Sequence, residues 1–214
     1  MKVTDALVAR RSIRAFLDKP VEREKFTAIF EAAARTPSWA NSQPWEIFVA
    51  TGDTLKRIKA GFLENYANSV PVALETPRPT QWPENAIARQ KQLHPDMVRD
   101  CGDASQQFGV LNQTMFNAPA VIYICVDKIM SQWALYDIGA YTQSLMLAAV
   151  EHGLGTIPAI QVTNYPDILH RELNIPDNLK VTIGIAIGYT DTGHAINNFN
   201  SARSPLSETV RYSD

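Results

Sequence analysis

The chain has 214 residues, 45% of them hydrophobic and 20% charged, the composition of an ordinary globular protein long enough to bury a substantial core. Lysine and arginine number 20 against 22 aspartate and glutamate, so the net charge of −2 excludes overall attraction to nucleic acid or an anionic membrane. Two cysteines, Cys101 and Cys125, are too few for a disulfide framework, and the 4 histidines fall in no metal-ligand spacing, so no metal is expected. Met1-Lys2 leads into a polar, amphipathic stretch without the apolar core of a secretory signal, and no later run reaches the length of a membrane span. A cytoplasmic location is expected.

Thr4 is placed to cap a first helix running to about Arg11, with Val3, Ala6 and Leu7 on one face. Its end carries Arg10-Arg11-Ser12-Ile13-Arg14, three guanidiniums and a hydroxyl in five residues. Two readings fit. One is a solvated basic helix end favoured by the helix dipole. The other is an anion site, because guanidinium grips phosphate through paired N–H donors and stays charged at any physiological pH. With the overall charge near zero, a small anion is the expected guest. Pro20 breaks the helical pattern; Phe26, Ile29, Phe30, Ala33 and Ala34 then recur at three and four residues, an amphipathic helix over 22–35 that Thr36-Pro37 ends.

The segment Pro37-Ser38-Trp39-Ala40-Asn41-Ser42-Gln43-Pro44-Trp45 is neither a regular helix nor a central strand. It either presents groups to a ligand or plugs the core with its aromatics. It feeds a strand, Glu46 to Thr51, stopped by Gly52-Asp53, and then a helix from Thr54 to about Tyr66. From Asn68 to Cys101 the periodicity fades, prolines interrupt it, and Trp82 stands among polar neighbours. Residues 68–101 read as a partly helical excursion covering a site rather than as a linker.

Helical spacing returns with Phe108, Leu111 and Met115. Ala120 to Val126 (AVIYICV) is a continuous apolar run, expected as a strand buried on both faces with Cys125 packed as a small hydrophobe. A helix from Asp137 to His152 carries Ile138, Tyr141, Leu145, Ala148 and Ala149 on one stripe and ends in Gly153-Leu154-Gly155. Thr156 to Ile160 is a short extended piece, and Pro166 opens a helix to about Leu173. Lys180 to Tyr189 alternates Val181, Ile183, Ile185 and Ile187 against Thr182, Gly184, Ala186 and Gly188, a strand whose small face admits a close neighbour. A polar tail follows. Strands separated by helices give an α+β or α/β sandwich, read as one domain over residues 1–214.

Four pieces in register, Arg-Arg-Ser-Ile-Arg at 10–14, Pro-Ser-Trp-Ala-Asn-Ser-Gln-Pro-Trp at 37–45, Gly-Leu-Gly-Thr-Ile-Pro at 153–158 and Arg-Ser-Pro-Leu-Ser-Glu at 203–208, resemble the FMN-dependent nitroreductase family over essentially the whole chain. The resemblance implies an α+β sandwich with a central, mainly antiparallel sheet flanked by helices. It also implies an intertwined homodimer with FMN at the interface, in which the C-terminal tail, 194–214, reaches over the partner subunit to extend its sheet. By residue match, Arg10, Arg11 and Ser12 hold the FMN phosphate and ribityl chain, and Arg203 completes the phosphate clamp. Arg14 lies toward the flavin's pyrimidine edge, where a fixed cation favours the reduced form. Pro37, Ser38 and Asn41 are expected from the partner subunit, while the backbone of Pro158, Ala159 and Ile160 passes the flavin ring and offers an N–H near N5.

The implied reaction is ping-pong: NAD(P)H passes hydride to flavin N5, and a nitroaromatic or quinone then takes its place. No acid, base or nucleophile from the protein is required, and Trp39 and Trp82 are candidate aromatic walls for a flat acceptor. Two departures bear on the acceptor. Trp39 stands where many relatives have a small residue, and Ile160-Gln161 stand where several have an acidic one. The same fold also supports reduction of activated alkenes and dehalogenation of aromatics, and a non-catalytic flavin-binding redox sensor is a further alternative.

Overall fold

The apolar run at 120–126 becomes β2 (Ala120–Asp127), and every residue from Ala120 to Val126 is buried, as a strand covered on both faces must be. In the computed structural model, which describes residues 1–213, β2 pairs antiparallel with β1 (Glu46–Thr51) on one side and with β4 (Leu179–Gly188) on the other. β3 (Gly155–Ala159) closes the far edge, giving one sheet in the order β1-β2-β4-β3 with all pairs antiparallel.

Helices cover both faces. On one, Ile29 of α2 (Arg23–Ala33) and Ile138, Tyr141 and Leu145 of α6 (Trp133–Glu151) pack on Ile122, Ile124 and Ile185. On the other, α3 (Gly52–Ala67), α4 (Glu84–Cys101), α5 (Phe108–Gln113) and α7 (Pro166–Leu173) supply Ile58, Phe62, Met97, Leu111 and Leu169 against Val121, Tyr123 and Ala186. Each such side chain, fully buried, contributes about 1.5–3 kcal/mol before chain entropy is charged against it. The expected α+β sandwich with an antiparallel central sheet is therefore what the chain forms. No helix among the described residues is long and apolar enough to cross a membrane.

The expected stripe on β4 is broken. Ile124 faces Ile183 but Cys125 faces Val181, so Thr182 is an extra residue at a bulge, and its hydroxyl donates to the Ile124 carbonyl at 2.6 Å. Val181 consequently shares a face with Cys125, while Ile183, Ile185 and Ile187 lie on the other. The small face behaves as anticipated: a Cβ on Gly188 would stand 2.6 Å from Pro119, and one on Gly184 would collide with Val162.

Other boundaries shift for local reasons. The first helix, α1 (Val3–Ala9), stops before the arginines, and Thr4 lies inside it with Lys2 at the cap position. Gly52, at φ +51°, takes the left-handed turn that lets α3 start directly from β1, two residues earlier than the Gly-Asp stop implied. The helix α6 begins at Trp133 rather than the expected Asp137; its added first turn, Trp133 to Tyr136, is apolar throughout and largely exposed, so it shows no helical period in the sequence. Within 68–101, α4 is a continuous helix through Pro95, which lies on its exposed side, where a missing N–H costs least.

Candidate functional site

The basic stretch leaves α1 and becomes extended because it docks on β3. Ser12 bridges Thr156 in parallel fashion, and the Ile13 N–H donates to the Thr156 carbonyl at 3.0 Å. Gly155 makes room for this, since a Cβ there would stand 2.7 Å from Ile13. Ile13 is drawn into the core, and Arg10, Arg11, Ser12 and Arg14 are left lining a small cleft. The expectation that the arginines sit at a helix end is corrected by this pairing with β3. The opposite wall is the C-terminal segment, Phe199, Asn200, Ser201 and Arg203. Two stretches nearly 190 residues apart thus meet at one concavity, four guanidiniums among them.

The electrostatics of the cleft are one-sided. Arg10, Arg11, Arg14 and Arg203 make no ion pair with a carboxylate among the described residues. Burial, with the like charge of Arg203 beside it, pulls Arg10 below the ordinary guanidinium range. Burial does the same to Arg14, whose guanidinium lies 5.0 Å from the Phe199 ring centroid and 5.8 Å from that of Phe108. Its Nη1 donates to the Ser12 carbonyl at 2.9 Å, and its Nε has no partner. The only other buried side-chain polar atom without a partner among the described residues is the Thr156 hydroxyl, on the residue that bridges Ser12. Desolvated cations and unpaired donors are costly unless an anion completes them. The donor set matches a phosphate ester: several guanidinium N–H groups plus a hydroxyl.

β3 runs behind this cleft. Pro158 and Ala159 lie in it as expected, and Ile160 turns into a 3-10 segment, Ile160–Thr163. Pro37, Ser38 and Asn41 do not line the cleft. Their loop is exposed and held in an unusual backbone form, with Ala40, Asn41 and Gln43 at φ of 51°, 54° and 43°. Asp137 accepts from the Trp39 N–H at 3.1 Å, the Thr36 hydroxyl donates to Ser144 at 2.8 Å, and the Gln43 N–H donates to the Ser38 hydroxyl at 2.9 Å. Its two tryptophans divide the two readings between them: Trp45 stacks on Tyr141 at 4.6 Å and plugs the core, whereas Trp39 is 70% exposed.

Trp82 is 49% exposed just before α4 and also stands apart from the cleft. Upstream of it the chain is strapped down. The Tyr165 hydroxyl donates to the Val70 carbonyl at 3.1 Å, the Ala73 N–H donates to Asn164 O at 3.1 Å, and the Val181 N–H donates to Glu75 at 2.7 Å. A larger groove, about 950 Å³, lies elsewhere, along the open outer edge of β1 between α2 and α3. Its cations, Arg23, Lys56 and Lys59, share the lining with Asp18, whereas the arginine cleft gathers four guanidiniums and no carboxylate; chemistry, not size, selects the cleft.

The model of the nitroreductase family matches residues 7–189. The chain belongs to that family. A 4-nitrobenzoate reductase from Pseudomonas putida is 30% identical over 211 residues, covering 93% of this chain and 90% of that protein. Nitroreductase NfnB of Mycolicibacterium smegmatis is 29% identical over 211 residues, 95% and 89% of the two chains. Among solved structures, the FMN and NADPH-dependent nitroreductase NfnB from Sphigopyxis sp. strain HMH superposes with a TM-score of 0.89 at 28% identity over 100% of both chains. The FMN-dependent NfnB from Mycobacterium smegmatis in complex with NADPH gives 0.89 at 29% identity, over 99% and 98%. For a nitroreductase, the cleft residues that the sequence reading overlooked are Phe199, Asn200 and Ser201, with Phe108 behind them against the Arg14 guanidinium. Phe199 and its neighbours looked like an unstructured polar tail, and the one available signal was an aromatic set among asparagines.

Proposed function

We propose that this nitroreductase family member is an FMN-dependent oxidoreductase that uses NAD(P)H to reduce nitroaromatic or quinone-type acceptors. The observation that carries the proposal is the cleft in which four guanidiniums converge without a carboxylate and Arg14 Nε is buried without a partner. These residues fit a flavin phosphate. Arg10, Arg11, Ser12 and Arg203 would hold that phosphate and the chain leading from it, and Arg14, fixed between two rings, would set a positive potential beside the flavin. Pro158, Ala159 and Ile160 would form the wall along the ring. FMN, when bound, supplies the two-electron chemistry that links NAD(P)H to the acceptor.

The protein's part is to bind, orient and exclude water. Trp39 and Trp82 are proposed as aromatic walls for a flat acceptor, and residues 68–101, of which α4 is the major part, as the cover that varies the acceptor pocket. The names of the relatives, nitrobenzoate and other nitroreductases, support a nitroaromatic acceptor. A second copy of the chain completes the site. Pro37, Ser38 and Asn41 would reach the FMN of the partner subunit, which accounts for a loop that is pinned from behind yet contacts nothing in its own cleft. Val3 and Val8 of α1 and Trp133 and Tyr136 of α6 are exposed apolar groups suited to that interface. Of the expected tail, 194–214, the part up to Arg203 packs on its own chain, with Ile196, Asn197 and Phe199 buried, so only the residues after Arg203 would reach the partner subunit and extend its sheet along the open β1 groove. A cytoplasmic location is part of the proposal.

The decisive experiment is the visible spectrum of purified protein supplied with FMN, before and after NADPH or NADH, followed by turnover with 4-nitrobenzoate and a quinone. A yellow protein bleached by reduced nicotinamide and reoxidised by either acceptor supports the reading. Flavin that binds and stays oxidised sinks it.

A further inference from the structure

The cleft depends on a residue that lies behind it. Asn197 is 3% exposed, and its side chain joins the two walls. Its Oδ1 accepts from the backbone N–H of Arg14 at 2.7 Å and of Ala15 at 3.3 Å. Its Nδ2 donates to the carbonyls of Ala15 at 2.8 Å and Asp191 at 2.9 Å. Both amide protons and both lone-pair directions are used, so the amide has one orientation only: reversed, it would set oxygen against two carbonyls and NH₂ against two N–H groups.

The consequence is geometric. The Arg10–Arg14 stretch is tied to β3 on one side, through Ser12 and Ile13, and to Asn197 on the other. Asn197 in turn lies two residues before Phe199, whose ring supports the Arg14 guanidinium, and six before Arg203. One side chain therefore fixes the spacing between the N-terminal and C-terminal contributors to the anion cleft. Charge-assisted contacts to a phosphate are sharply distance-dependent, so a small slip between the walls is felt as lost affinity.

We propose that Asn197 is a positioning residue for flavin binding, holding Arg14 in register with Phe199 and Arg203. This rests on the FMN reading above. The test compares wild-type protein with Asn197→Ala, Asn197→Asp and, as a comparator, Asn198→Ala at the exposed neighbour. FMN dissociation constants are measured by flavin fluorescence on folded apoprotein well below its unfolding temperature, and the flavin midpoint potential is measured on the loaded forms. Asn197→Ala should raise the FMN Kd about tenfold to a hundredfold and make the potential more negative, since Arg14 is no longer fixed. Asn197→Asp keeps the shape and the acceptor but sets a carboxylate oxygen against the carbonyls of Ala15 and Asp191, and should weaken FMN binding at least as much as Asn197→Ala; it also carries the test if the alanine variant does not fold. Asn198→Ala should match wild type. Wild-type affinity and potential in folded Asn197→Asp would overturn the proposal, leaving Asn197 as a stabiliser of the fold alone. Failure of the wild type itself to bind FMN would overturn the reading of the cleft, and with it this role.

Discussion

Replacing Arg14 by glutamine keeps a hydrogen-bonding side chain and removes the fixed charge. The native guanidinium is costly to keep: it is largely buried, pulled below its ordinary range by that burial, and offset by two aromatic faces instead of a carboxylate. Arg14→Gln should therefore leave the apoprotein at least as stable as wild type by chemical denaturation, while FMN affinity falls about tenfold to a hundredfold. A stabilised apoprotein with weakened flavin binding is the signature of a residue retained for function; loss of both together would assign it to the fold. A second residue reports on the core. Burial, reinforced by the charges of Glu75 and Glu46, pushes the Cys125 thiol up to about 12. Because the folded value is raised, its contribution to stability is complete below the ordinary thiol range and is lost as pH rises toward 12, where the unfolded chain ionises first. The stability advantage of wild type over Cys125→Ala should accordingly narrow between pH 8 and 11; parallel pH curves would refute this.

At the scale of elements, legibility followed whether the determinant was local. The helix over 166–173, opened by Pro166, and the strand over 46–51 follow from short-range signals and lie where those signals place them. The arginine cluster was visible as charge but not as conformation, because what extends it is a strand more than 140 residues downstream. The bulge at Thr182 was likewise hidden: Val181 and Ile183 alternate correctly in isolation, and only pairing with β2 shows the inserted residue. The 84–101 helix was obscured by its own exposure, since few apolar side chains mark a period and Pro95 argues against a helix unless its solvent-facing position is known. In the site itself, the residues named from the family motif converge where they were chemically legible, as guanidiniums. Asn197 was not, since an asparagine before a polar tail carries no mark of the four bonds it makes.

For the molecule as a whole, the open edge of β1 and the exposed apolar groups of α1 and α6 describe a surface that a lone chain leaves unfinished. If the proposed dimer forms through the tail, deleting residues 204–214 should shift sedimentation toward monomer and weaken FMN retention in parallel, although all four cleft arginines remain. Deletion without either change would separate the tail from the assembly. The cleft also has a bearing on the lifetime of the protein. Four like charges facing one another stabilise nothing until an anion arrives, so the difference between empty and filled protein is concentrated in a ligand whose supply varies. By mass action, free FMN at a hundredfold over its dissociation constant adds about 2.7 kcal/mol to the folded state. Proteolytic half-life should therefore rise with flavin concentration at fixed temperature, which makes the abundance of this protein a readout of how much flavin is available.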